Sequence, residues 1–207
     1  EFEKKHGVKV EYVAGNSTDT LAKLEKYDEA RAWIDRMIGE FPANSEVAYT
    51  KGLVLEEEKK YAEAIAQYED VARKNPFYYN VHRRLSTLAI NEGKTTQAAL
   101  ALFFSIYIHY GDETANTMLG WGNEFLRGSV DVEPKNITID ANEDFSEIDL
   151  LVQNRVALQK NYKAVPNIDL AFARQLHLII DQLAQLPEQT GFWSSYYVPV
   201  YLKLKEE

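Results

Sequence analysis

A pattern of small and large apolar residues recurs in this chain at a fixed offset of 34 residues, and it restricts the fold more than any other feature. It is clearest from Ser45 to Pro76, where Gly52 is followed by Tyr61, Ala64, Tyr68 and Pro76. Moving back 34 places reaches Tyr27, Ala30, Ile34 and Pro42. Moving forward reaches Ser86, Ala98, Leu102 and Tyr110, and a further step reaches Gly120. The residues between are helix formers with apolar positions three and four apart, so each unit reads as two helices joined by a tight turn. Ala30, Ala64 and Ala98 stand where a helix must approach its neighbour closely, and larger side chains would push the axes apart. Ile34, Tyr68 and Leu102 fill the space beside Gly52 and Ser86. Pro42 and Pro76 separate the units, because proline cannot continue a helix and restricts the residue before it.

This spacing of Gly, aromatic, Ala, aromatic and Pro resembles the tetratricopeptide (TPR) repeat. The resemblance covers roughly Tyr27 to Leu126 and implies an all-α, TPR-type helical solenoid of about three repeats. It also implies a protein or peptide partner held on the concave face, which the first helix of each repeat lines. Carried onto this sequence, that face comprises Tyr49, Leu53 and Glu56, then Asn80, Arg83 and Thr87, then Trp121 and Glu124. Trp121 and its neighbour Phe125 have a second reading, burial under C-terminal helices. The family's basic clamp for a C-terminal carboxylate is not reproduced, because Arg83 and Arg84 lack the matching Lys and Asn on the preceding repeat.

Charge and composition narrow the partner. The formal charge is −9, with no basic stripe, which argues against nucleic acid, where phosphate neutralisation supplies most non-specific affinity. No run of apolar residues is long enough to insert in a membrane. The absence of cysteine excludes disulfides and thiolate sites, and it fits a bacterial cytoplasm or periplasm equally. The four histidines have no paired spacing, and no nucleophile elbow, phosphate loop or dinucleotide fingerprint occurs. Binding without chemistry, with no cofactor and no metal, is the expectation. Asp140, Asn142, Asp144 and Glu147 alternate as in a calcium loop, but the central glycine is missing and Leu151 holds the twelfth position.

Four segments follow. Residues 1–26 fit the repeat poorly, since Gly15, Asn16, Ser17 and Thr18 interrupt a helix; they form an irregular N-terminal cap or a degenerate first helix. Their sequence FEKKHGVKVEYVAGNSTDTLAKL also resembles the opening of bacterial periplasmic solute-binding proteins, which implies a fusion. Residues 27–126 are the array. Residues 127–145 form an acidic loop with a short extended piece around Ile137 to Ile139. Residues 146–207 form a C-terminal helical cap, with helices Glu147 to Tyr162 and Asp169 to Leu186 and a last helix kinked at Pro199. Ser146 and Asp149 are expected to cap the first of these. The helix from Thr96 to Tyr110 is apolar nearly all round and needs cover beyond its neighbouring repeats, most simply from the C-terminal helices. Two other readings stand beside partner binding. The chain is a structural stretch of a longer scaffold, as its start at Glu1 and a tendency to self-associate would suggest, or it binds a solute through its N-terminal segment.

Overall fold

A computed structural model describes residues 27–111, 113–128, 143–162, 170–187 and 189–206. The described residues are helical, and none forms a strand. In chain order the helices are α1 (Tyr27–Glu40), α2 (Ser45–Glu57), α3 (Tyr61–Lys74), α4 (Tyr79–Asn91), α5 (Thr95–Ile108), α6 (Glu113–Arg127), α7 (Ser146–Gln153), a 3-10 turn (Val156–Leu158), α8 (Ala171–Leu183), α9 (Phe192–Tyr196) and α10 (Val198–Glu206). The bounds themselves repeat: α1, α3 and α5 open at 27, 61 and 95, and α2, α4 and α6 open at 45, 79 and 113.

Local chemistry sets these ends. Asn44 opens α2, its side-chain oxygen accepting from the backbone N–H of Glu46 at 3.0 Å and of Val47 at 3.3 Å. The turns from α2 to α3 and from α4 to α5 close alike. Lys60 N–H donates to Leu55 and Lys94 N–H donates to Ala89, each across five residues. The residue before each donor is left-handed, Lys59 at φ 61° and Gly93 at φ 75°.

The small-against-large seam is present. Ala64, Ala98, Tyr68 and Leu102 are buried, and a Cβ on Gly52 would run into the Tyr68 ring. Ser86 donates its hydroxyl to Ala98 O at 2.9 Å. The fourth frame departs from the pattern. A Cβ at Gly120 would meet nothing within 4 Å, whereas one at Gly122 would lie 2.7 Å from Leu102 Cδ2 and 3.2 Å from the Phe172 ring. The packing glycine of α6 is therefore two residues beyond its expected place.

One core runs from Tyr49 to Tyr201 and joins the paired helices to the C-terminal ones, while Ala30, Ile34 and Val54 form a smaller cluster under α1. The C-terminal helices supply the cover that α5 requires. Phe103 packs on Phe172 and Tyr201, and Phe104 on Tyr196 and Tyr197. The Tyr201 hydroxyl donates to Leu100 O. Helix α8 packs on α6, as α3 does on α2 and α5 on α4.

Three sequence expectations for the C-terminal region are corrected. Helix α7 ends at Gln153, where a helix to Tyr162 was expected, because Arg155 turns left-handed at φ 54°. Asp149 does not cap its own helix with Ser146. It lies buried against α5, accepting from both the backbone N–H and the hydroxyl of Thr96 at 2.6 Å. The last helix breaks at Tyr197 and not at Pro199, which sits inside the first turn of α10, where no amide donor is needed. Within the expected acidic loop, Glu143 is buried and Phe145 is a core member. The expectations for residues 1–26, for Ile137 to Ile139 and for Asp140 and Asn142 lie outside the described residues.

Candidate functional site

Equivalent positions on the first helices differ in exposure, and the cause is visible. On α2, Tyr49 is clamped between the rings of Tyr68 and Tyr78, with centroids 5.6 and 5.3 Å away, and Leu53 is buried with it. Both are core side chains and not surface contacts. Glu56 is largely covered: it accepts the Tyr68 hydroxyl at 2.6 Å, and Arg84 Nε lies 3.8 Å away. Burial first, and then the Glu56 carboxylate, push the Tyr68 phenol far above its ordinary range.

On α4 and α6 the same register opens to solvent. Arg83 and Thr87 are exposed, and Asn80 beside them is half-buried. Their positions 80, 83 and 87 share one face of α4 at helical spacing. One repeat later Thr117, Trp121 and Glu124 are exposed on α6. Trp121 is 40% exposed and stacks on Phe125 at 5.5 Å, with the rings 2° from parallel, while Phe125 packs against the core. The pair is thus split between the two readings made from sequence, with Phe125 serving as the inner support of an outward-facing Trp121. Five of the eight sequence-derived residues, Asn80, Arg83, Thr87, Trp121 and Glu124, reach the surface, and Tyr49, Leu53 and Glu56 form the interior beneath it.

A second surface feature was not foreseen. Between α5, α6 and α8 lies an open groove of about 980 Å³ whose walls are almost wholly apolar. Phe103, Phe172, Leu176 and Ile180 form its deeper wall, and Phe77, Tyr107 and Tyr110 stand at its edge. Those three are 78, 58 and 89% exposed, well beyond what isolated surface aromatics need explaining. The all-round apolarity of α5 was the available signal. That apolarity calls for cover beyond the neighbouring repeats, and the cover ends before Tyr107. The described histidines have separate settings. His82 is buried among aromatics, His109 stacks on Tyr79 at 3.8 Å, and His177 lines the groove.

No helix among the described residues is long and apolar enough to cross a membrane. No family model, curated protein or solved structure matches the chain.

Proposed function

We propose that this chain is a protein-interaction scaffold of the tetratricopeptide type, a helical solenoid whose first helices α4 and α6 present a partner-binding face. The reading rests on the recurrence of helix bounds at 34-residue offsets, which puts Arg83 and Thr87 of α4 in register with Thr117 and Trp121 of α6. An exposed arginine and tryptophan at the middle of such a face are the residue types that dominate interface energetics. Nothing in this role requires catalysis. The test is capture from cell extract with the intact chain and with an Arg83→Ala, Trp121→Ala double variant as baits. Tyr49 is unsuitable for this purpose, since its ring is part of the core. A partner retained by the intact chain and lost from the variant, at unchanged melting temperature, is the expected result.

A second reading, that the chain is a structural stretch of a longer scaffold, draws on α1. Trp33, Met37 and Phe41 form a stripe 42 to 55% exposed, whereas Val71 and Ser105, one and two repeats beyond Met37, are buried. A further helix laid on α1 would cover that stripe. Identical catches from both baits would favour this reading over partner capture.

A further inference from the structure

We propose that the groove between α5 and α8 is a second docking site, distinct from the α4 and α6 face, and that it takes the apolar side of a basic amphipathic helix. The choice of occupant follows from what the groove cannot satisfy. Its walls come mostly from helices α5, α6 and α8, whose amides and carbonyls are bonded within the helices except in their end turns, so an extended peptide would find no run of backbone partners and would bury most of its own polar groups unpaired. A helix satisfies its backbone internally and can offer a dry face.

An anionic lipid or fatty acid fits poorly for a different reason. Among the residues lining the groove there is no lysine or arginine. The lining imidazole, His177, has Nδ1 3.3 Å from Asp181 Oδ2, and the same carboxylate takes Lys205 Nζ at 2.7 Å. A carboxylate or phosphate headgroup would therefore find no unpaired lysine or arginine on the lining, and the Lys205 ammonium beside it is already held by Asp181. Charge favours the opposite sign: the chain carries −9 overall, and exposed Glu113 follows three residues after Tyr110 at the groove edge. Such a field raises the encounter rate of a cationic partner.

Size agrees. Two turns of helix are about 11 Å long and, with side chains, about 10 to 12 Å across, which matches an open groove of about 980 Å³. Anchors at i, i+3 or i+4 and i+7 would lie on Phe172, Leu176 and Ile180, with Phe77, Tyr107 and Tyr110 closing over them.

The test is a fluorescence-anisotropy titration of the whole chain with a labelled Leu/Lys peptide of about 18 residues, long enough to be helical when bound and carrying its leucines on one face. A scrambled peptide of the same composition and a Leu/Glu analogue serve as comparators, with unlabelled palmitate as competitor. Binding of the Leu/Lys peptide at least about tenfold tighter than either comparator is expected. A similar loss of about tenfold is expected for a Tyr107→Asp, Tyr110→Asp variant and for Phe77→Asp, all at exposed positions where folding is spared. The Arg83→Ala, Trp121→Ala variant should bind the peptide as the intact chain does, which separates this site from the α4 and α6 face. Equal binding of the scrambled peptide, or undiminished binding by both groove variants, would overturn the proposal. So would displacement of the peptide by palmitate at lower concentration, or a concentration-dependent dimer of the intact chain that the groove variants abolish, which would give the groove to a lipid or to a second copy.

Discussion

His82 has no exposure to solvent and both its ring nitrogens are engaged. Nε2 lies 2.9 Å from Pro76 O, which can only accept, so Nε2 carries the proton and Nδ1 accepts from the Tyr197 hydroxyl at 2.7 Å. Burial pushes the imidazole down to about 4, against the raising effect of the Pro76 carbonyl. A base depressed in the folded state takes up its proton more readily when unfolded, so stability is full above the ordinary histidine value and falls as pH drops toward 4. Between pH 7 and pH 5 this amounts to about 2 kcal/mol. Urea melts at the two pH values should show that difference in the intact chain and lose most of it in His82→Gln. An equal drop in both proteins would assign the acid sensitivity elsewhere. The buried carboxylates act as long-range caps. Glu143 accepts from the backbone of Trp193 at 3.1 Å and of Ser194, and Asp149 holds the start of α5, whose Lys94 cap offers no side-chain bond. None of these three roles was legible in the sequence, because Tyr197, Trp193 and Thr96 lie 50 or more residues from His82, Glu143 and Asp149 and no local spacing marks them.

The helices were far more legible than the polar links between them. Small and large residues at fixed offsets predict which faces meet, and the helix expected from Thr96 to Tyr110 forms at Thr95–Ile108. The pattern fails where a glycine carries it alone, since a glycine is written identically whether it packs or merely occurs. Helix α6 provides the contrast on two residues of one helix. Gly120→Ala, with open space around it, should stabilise by about 0.5 to 1 kcal/mol through helix propensity. Gly122→Ala must push Leu102 and Phe172 aside and should destabilise by about 1 to 2 kcal/mol. Thermal melts of the two single variants check this, and effects of the same sign would refute the packing assigned to α6. The groove was legible only in part. The apolar circumference of α5 called for cover, but nothing in the sequence told where α8 and α10 stop covering it.

At the scale of the molecule, α8 packs on α6 although residues 128–170 intervene. Asn123 of α6 accepts from the backbone of Phe172 at 3.2 Å, and Gln175 of α8 donates to Leu126 O and Val152 O, so α6, α7 and α8 are tied by buried polar bonds as well as by apolar contact. Sequence reading gives the C-terminal residues as a helical cap that covers α5, outside the array because the insertion breaks the 34-residue offset that made the earlier pairs visible. The structure makes them part of one core, with Trp193, Tyr197 and Tyr201 fully buried against it. That unity is what would hold α4, α6 and the groove in fixed relation to a partner. Equilibrium urea unfolding tests it most directly, followed at once by far-UV ellipticity and by the emission of Trp193 in a Trp33→Phe, Trp121→Phe background. A single transition with coincident midpoints is expected, as for one cooperative unit. A Trp193 transition completed while the helical signal of α1 to α6 persists would contradict it and make the C-terminal helices an independent appendage.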